Sequence, residues 1–131
     1  MLKDAKTFSS FSIDDLQKAK EFYSQSLELD VTEQEEGLGL NFPGGGQVFL
    51  YPKPDHAPAT FTVLNFQVAN IDEAVDGLTS RGVTFERYGG EMEQDDKGVY
   101  RGVAQGQGPN IAWFTDPAGN ILSVIETDGL S

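Results

Sequence analysis

The hydrophobic and polar positions of this chain follow one order of elements that occurs twice. Residues 7–13 and 61–68 alternate between apolar and polar side chains, which predicts a strand with two unlike faces in each place. After each strand, apolar residues recur at helical spacing. They are Leu16, Ala19, Phe22, Tyr23 and Leu27 in the first copy, and Ile71, Ala74, Val75 and Leu78 in the second. The copies lie 55 residues apart, the difference between positions 70 and 15, and the same shift pairs Ile13 with Val68.

Capping and turn residues mark the ends of these elements. Asn70 is a suitable N-cap with Glu73 three residues later, and Gly82 follows the predicted helix. Asp14 or Asp15 is the expected N-cap of the first helix. Further strands are predicted over residues 29–34, 38–42 and 48–51 after the first helix, and over 83–88, 99–104, 111–114 and 121–125 after the second. Turns are predicted at 43–46 and, as a hairpin, at 116–120.

The pattern therefore predicts a single domain, residues 1–131, made of two β-α-β-β-β modules. The first module covers residues 1–52 and the second covers 61–127. The linker between them, 53–60, is proline-rich and cannot continue a sheet. A loop at 89–97 is acidic and is expected to cover an open face. The apolar face of each first strand should pack against its helix, and the mixed face should line either a semi-polar cavity or the solvent.

Composition and charge narrow the range of partners. The chain has 131 residues, 9 basic and 21 acidic, and a formal net charge of −12. Phosphate backbones and anionic membrane surfaces would repel such a chain, so we expect neither nucleic acid nor membrane as a partner. There is no cysteine, which excludes disulfides, thiolate metal sites and a cysteine nucleophile. Without a signal-like or membrane-spanning apolar run, a cytoplasmic location is expected.

Two segments resemble a known superfamily. The run from Ile13 to Tyr23, continued by Leu27-Glu28-Leu29, resembles the opening of vicinal oxygen chelate proteins, although Glu28 stands where glycine is usual. The run from Trp113 to Leu122 is similar to the Phe-x-Asp-Pro-x-Gly-Asn hairpin of the same family. The resemblance spans nearly the whole chain. It implies the α+β glyoxalase/bleomycin-resistance/dioxygenase fold, in which two βαβββ modules form a half-open, barrel-like cavity, and it implies a homodimer.

The resemblance also implies where a divalent metal would bind in the enzymes of this superfamily. The positions of the ligands fall on Phe8, Val63 and Ser123, and a fourth falls near Phe49. Phenylalanine and valine cannot bind a metal, and a serine hydroxyl is a poor ligand for a divalent ion. The one histidine, His56, lies in the linker and is expected to be away from the cavity. We therefore expect no metal and no other cofactor.

Other candidate chemistry has weaker support. Gly44-Gly45-Gly46 lies between strands and not before a helix, so it indicates a turn and not a phosphate site. Glu126 is expected to be a solvated charge at a sheet edge. The candidate ligand-binding residues are those expected on the cavity side of the two sheets. They are Phe8, Ser10, Ser12, Phe49, Tyr51, Val63, Asn65, Gln67, Tyr100, Trp113 and Ser123.

The sequence thus favours a protein that lacks the usual metal ligands and binds a small organic molecule, cationic or aromatic, in an aromatic-lined cavity. Two alternatives stay open. One is a lyase or dioxygenase-type enzyme with an altered or non-metal site, for which the candidate carboxylates are Asp14, Glu91, Asp95 and Asp96. The other is an interaction or regulatory module that has kept only the fold.

Overall fold

The computed structural model of the protein describes residues 1–89 and 93–127, and the chain divides into two compact units. The first unit is Met1–Pro58 and the second is Ala59–Ser131. Within the described residues, each unit contains one four-stranded mixed sheet and one α-helix. No helix in the described part of the chain is long and apolar enough to cross a bilayer.

The first unit has the predicted β-α-β-β-β order. Its elements are β1 (Ser9–Ile13), α1 (Leu16–Glu21), β2 (Asp30–Gln34), β3 (Gly37–Asn41) and β4 (Gln47–Pro52). The strand order is β1-β4-β3-β2, with β1 parallel to β4 and the other neighbours antiparallel. Helix α1 begins where the Asp15 carboxylate accepts a hydrogen bond from the Lys18 N–H at 3.0 Å, and it continues as a π-helical turn, Phe22–Ser26. Asp15, not Asp14, is therefore the cap.

The second unit repeats this order. Its elements are β5 (Thr62–Val68), α2 (Ile71–Ser80), β6 (Val99–Arg101), β7 (Asn110–Thr115) and β8 (Ile121–Glu126). The strand order is β5-β8-β7-β6, with β5 parallel to β8 and the other neighbours antiparallel. Asn70 caps α2 by accepting from the Glu73 N–H at 3.1 Å, which confirms the predicted helix start. Asp116 is buried and accepts the N–H groups of Ala118 and Asn120, both at 2.9 Å, and this closes the predicted hairpin.

Two predicted strands in the second unit differ from the structure. The segment 83–88 is not a strand, because only Phe85 forms a bridge, to Phe114. The strand predicted at 99–104 ends at Arg101, because the backbone turns at Gly102. At that turn a side chain would lie only 2.5 Å from the Pro109 carbonyl oxygen, so the position requires glycine. The two βαβββ modules and the α+β fold class are nevertheless confirmed.

The helix side of each sheet carries the core. In the first unit the buried side chains include Ile13, Tyr23, Leu38, Leu40 and Leu50, and in the second they include Ile71, Val75, Phe114, Leu122 and Val124. Because side chains alternate along a strand, the residues between these positions lie on the opposite face of each sheet. The candidate site residues lie on that second face.

Candidate functional site

The open face of the first sheet carries a row of aromatic and hydroxyl side chains. Strand register places Ser10 beside Phe49 and Ser12 beside Tyr51. The rings of Phe49 and Tyr51 are stacked, with centroids 6.3 Å apart and planes 19° from parallel. Phe8 lies just before β1 and is 67% exposed, an unusual position for a large apolar side chain. The five candidate residues of the first unit therefore share one face.

A cavity of about 230 Å³ opens on this face. It is lined by Phe8, Gln34, Gly39, Gln47, Val48 and Phe49. Phe8 and Phe49 thus border a common space, together with four lining residues that the sequence did not indicate. The available signal was the pair Gly37 and Gly39 inside a strand, since glycine in a strand interior often marks a place where another group approaches the backbone closely.

The two glycines of β3 have different roles. A side chain at Gly37 would collide with the carbonyl oxygen of Leu50, so this position requires glycine for the packing of the strand. A Cβ at Gly39 would come within 3.4 Å of one atom only, the amide nitrogen of Gln34 at 2.8 Å. That atom is the end of a flexible, exposed side chain and can move. Gly39 therefore keeps space beside Phe49 that the backbone does not need.

Amide side chains form the polar edge of the cavity. The Gln47 amide donates to Asn41 Oδ1 at 2.7 Å, and Asn41 in turn donates to Thr32 Oγ1 at 2.9 Å. The first bond uses one N–H of the Gln47 amide, and the Gln47 side-chain oxygen has no hydrogen-bond partner among the described residues. The Gln34 amide likewise makes no hydrogen bond within the part of the chain that is described. The cavity thus presents aromatic walls together with hydrogen-bonding amide groups.

His56 does not lie away from this face, as the sequence suggested. Its Nδ1 lies 2.6 Å from Ser12 Oγ, and both residues are half-buried. The prediction was wrong because the linker turns back on itself. The Lys53 N–H donates to the Ile13 carbonyl at 2.9 Å, and the His56 N–H donates to the Lys53 carbonyl at 3.0 Å.

The second unit carries its candidate residues on the corresponding face of its own sheet. Register places Asn65 beside Ser123 and Ser123 beside Trp113. Ser123 is fully buried and donates a 2.5 Å hydrogen bond to Asn65 Oδ1, so its hydroxyl is engaged within the protein. The Trp113 ring packs edge-on against the Tyr88 ring, with the ring centroids 5.5 Å apart. Burial raises the pKa of Tyr88, and the nearby Glu86 carboxylate adds to this effect.

The remaining candidates of this unit are partly accessible. Val63 is half-buried, Gln67 is exposed, and the hydroxyl of the half-buried Tyr100 donates to Gln107 at 2.9 Å. A different cavity, of about 340 Å³, lies beside α2. Its lining includes Val75, Asp76, Val83, Phe85, Arg87 and Lys97.

The side chains at the four expected ligand positions do not fit a metal ion. Phe8, Phe49 and Val63 offer no donor atom, and the Ser123 hydroxyl is buried in its bond to Asn65. Among the described residues, no group of three or more His, Asp or Glu side chains is arranged to hold a metal. We derive no metal-dependent step for these positions.

Of the four candidate carboxylates, Asp95 takes part in a group of ion pairs. Asp95 and Asp72 both bind the Arg101 guanidinium, at 2.8 Å and 2.7 Å, and Lys97 bridges Asp72 and Asp76 on α2. Hydrogen bonding from Arg101 lowers the pKa of Asp72 to about 2. Burial acts to raise the pKa of Asp95, but hydrogen bonds from the Val99 N–H and Arg101 outweigh it, so this pKa is lowered.

The other three carboxylates contribute less to this picture. Asp14 is exposed beside the α1 cap, and Asp96 contributes its backbone carbonyl as the acceptor for Arg87. Glu91 lies outside the described residues. The described part of the loop at 89–97 is thus tied to α2 and Arg101 through Asp95 and Lys97. The expectation that this loop covers an open face stays a prediction.

Glu126 is not a solvated edge charge. Its carboxylate accepts the Ile71 N–H at 2.9 Å and the Asn110 amide at 3.0 Å, and the residue is half-buried. The alternation of β8 does place it on the face opposite Ser123, as expected. It lies on the helix side, where it satisfies an N–H group in the first turn of α2.

Comparison with known proteins gives one family and many similar folds. Residues 10–124 match the family described as the Glyoxalase/Bleomycin resistance protein/Dioxygenase superfamily. The structure is similar to TnmS3, an antibiotic binding protein from Streptomyces sp. CB03234, with 19% identity over 95% of this chain and 98% of that one and a TM-score of 0.63. It is also similar to the fosfomycin resistance protein FosX from Listeria monocytogenes, with 12% identity over 96% and 95% of the two chains and a TM-score of 0.65.

A third similar structure is a superfamily member from Sphaerobacter thermophilus DSM 20745, with 26% identity over 94% of this chain and 98% of that one and a TM-score of 0.64. No curated protein is significantly similar to this chain in sequence.

Proposed function

Because the chain belongs to the glyoxalase/bleomycin resistance protein/dioxygenase superfamily, and its open sheet face offers aromatic rings where metal ligands would be, we propose that it binds a small planar organic molecule without a metal. The observation that carries this proposal is the cavity beside Gly39. Its walls are the rings of Phe8 and Phe49, and its edge is formed by the amides of Gln34 and Gln47.

The lining suits a ring system with polar substituents. Aromatic walls favour an offset-stacked or edge-on ring, at about 0.5–1.5 kcal/mol per aromatic contact beyond the burial of area. The Gln47 oxygen can accept a hydrogen bond, and the Gln34 amide can both donate and accept. The volume of about 230 Å³ is below the range of roughly 300–1,000 Å³ that holds drug-sized ligands, so the cavity would take one ring system or one end of a larger molecule.

Charge favours a cationic guest over an anionic one. The net charge of −12 creates a negative potential around the protein, which raises the rate at which cations arrive and repels anions. Aromatic faces also attract cations through their quadrupole. The structural neighbours include a protein described as antibiotic binding and one described as a fosfomycin resistance protein, which is consistent with a role in capturing a foreign small molecule.

The test is a thermal-shift screen of the purified protein against cationic, neutral and anionic planar compounds and against divalent metals. A compound that binds only the folded protein raises its stability by about 2.7 kcal/mol at a hundredfold excess over Kd. We expect shifts from planar cations and none from metals. A shift from metals alone would contradict the proposal.

Two variants locate the binding site for any compound that shifts the melting temperature. Gly39→Val should weaken binding at least tenfold, because its side chain displaces the Gln34 amide and fills the cavity. Its stability should change by no more than about 1 kcal/mol, since a β-branched residue suits a strand.

Phe8→Ala should weaken binding by about 2- to 10-fold. Phe61→Ala is its matched control, because Phe61 is 66% exposed and does not line the cavity. Equal losses in the two alanine variants would place the binding site elsewhere.

A further inference from the structure

One serine of the first unit lies against an imidazole. Ser12 Oγ and His56 Nδ1 are 2.6 Å apart, within the range of about 2.6–3.2 Å in which a base activates a hydroxyl nucleophile. In the tautomer that carries its proton on Nε2, the imidazole accepts the hydroxyl proton through Nδ1. Both residues are half-buried, so the hydroxyl is held in place and is not sealed in the core.

The backbone holds this pair in register. The Lys53 N–H binds the Ile13 carbonyl, which keeps the start of the linker alongside the end of β1. The His56 N–H then closes a turn onto the Lys53 carbonyl, and this turn returns the imidazole to Ser12. The contact therefore follows from two backbone hydrogen bonds as well as from the side chains.

Three other serines, Ser24, Ser80 and Ser123, donate to oxygen atoms that cannot take a proton at neutral pH. Ser24 donates to the Lys20 carbonyl at 2.5 Å, and Ser80 donates to the Gly77 carbonyl at 2.7 Å. The fully buried Ser123 donates to the side-chain amide of Asn65. An amide or carbonyl oxygen accepts a hydrogen bond only, whereas an imidazole is a base in the physiological range.

An aromatic surface adjoins the pair. Register places Ser12 directly beside Tyr51, whose ring is stacked on Phe49. An aryl group lying on these rings would be next to the Ser12 hydroxyl. The arrangement thus combines a nucleophile, a base and a surface that suits an aromatic leaving group.

We propose that Ser12 and His56 form a nucleophile–base pair that accepts an acyl group from aryl esters. Ser12 Oγ bonds to the carbonyl carbon while its proton passes to His56 Nδ1. The bond between the carbonyl carbon and the aryl oxygen breaks, and the leaving aryloxide takes the proton from His56. Water then attacks the acyl-serine by the same route, which releases the carboxylic acid and restores the hydroxyl. This activity goes beyond ligand binding and does not require the cavity beside Gly39 to be filled.

The test uses p-nitrophenyl acetate to follow turnover and a fluorophosphonate to trap the nucleophile, with peptide mass spectrometry to locate the adduct. We expect the adduct on Ser12 and none in Ser12→Ala. His56→Gly should slow labelling on the order of 100-fold, since general-base assistance contributes about that much or more. Added imidazole should restore much of the rate in that variant, which a purely structural role of His56 would not allow.

Ser80→Ala is the matched control, because Ser80 is exposed and its hydroxyl donates to the Gly77 carbonyl, with no base beside it. It should label and turn over at the rate of the parent protein. Labelling on another residue, no labelling above the Ser12→Ala background, or an unchanged rate in His56→Gly would each overturn the proposal. Gly39→Val separates the two proposals, since it should lose ligand binding and keep fluorophosphonate labelling of Ser12.

Discussion

At matched positions of their sheets, the two units carry their large aromatic side chain on different strands. In the first sheet, one row across the strands reads Ser10, Phe49 and Gly39. The row at the matching register of the second sheet reads Asn65, Ser123 and Trp113. The large ring is therefore on the last strand in the first unit and on the neighbouring strand in the second. The first unit keeps an open space beside Phe49, whereas in the second unit Trp113 lies where glycine stands in the first and packs against Tyr88.

The two helices also differ, both in the contact at their start and in their length. Val68 is paired with Glu126, which binds the first turn of α2, while Ile13 at the equivalent place is paired with Pro52, which has no polar side chain. Helix α2 has ten residues and α1 has six before it continues as a π-helical turn. The repeated order of elements fixes the backbone of both units. The side chains at a few matched positions then decide whether that face of the sheet keeps a space, as beside Phe49, or holds a ring contact, as between Trp113 and Tyr88.

The largest expected effect tests which sheet face is packed. Trp113→Ala should lower the free energy of unfolding by about 2–4 kcal/mol, because it removes a large half-buried ring and its contact with Tyr88. Phe49→Ala, at the edge of a space that is already open, should cost less. Urea denaturation of both variants gives the comparison, and a larger loss in Phe49→Ala would contradict the assignment of the open face to the first unit.

A smaller effect tests the contact at the start of α2. Glu126→Gln should cost about 1–2 kcal/mol, because the amide nitrogen of glutamine would face a donor, either the Ile71 N–H or the Asn110 amide. Hydrogen exchange of the first-turn amides should accelerate in this variant. Glu73→Gln, an exposed change in the same turn, is the control and should change stability by less than about 0.5 kcal/mol. Equal effects of the two changes would show that only helix-terminal charge matters.

The smallest expected effect concerns pH and the ion pairs of the second unit. The folded-state pKa of Asp72 is lowered to about 2 by Arg101, so its contribution is present above the ordinary pKa of 3.8 and is lost as the pH falls through about 2. The side chain is 45% exposed, and solvent screening limits the contribution to about 1 kcal/mol. The first unit has Gln17 at the equivalent position, without this charge.

Asp72→Asn should therefore be less stable than the parent protein at pH 6, and the difference should shrink toward pH 2. Urea titrations of both proteins at several pH values measure this. A difference that stays constant with pH would mean that packing, and not charge, accounts for the effect of the substitution.

The sequence by itself determined the order and the boundaries of most elements. Alternation and helical spacing predicted both helices and most strands. The predictions of Asn70 as a cap and of a turn at 116–120 were correct, because caps and tight turns depend on neighbouring residues only. The segment 83–88 shows the limit of this reasoning. Its apolar positions suit a strand, but its only bridge is the one that Phe85 makes to Phe114, and that pairing depends on residues distant in the chain.

Tertiary structure alone decided which side chains meet. The contact between His56 and Ser12 depends on how the linker turns, and the contact between Glu126 and Ile71 depends on β8 lying next to α2. The space beside Gly39 depends on the register of β3 against β4, which sequence alternation leaves undetermined. The physical reason is that local propensity acts over a few neighbouring residues, whereas a site is made by side chains from separate strands that only the folded sheet brings within contact distance.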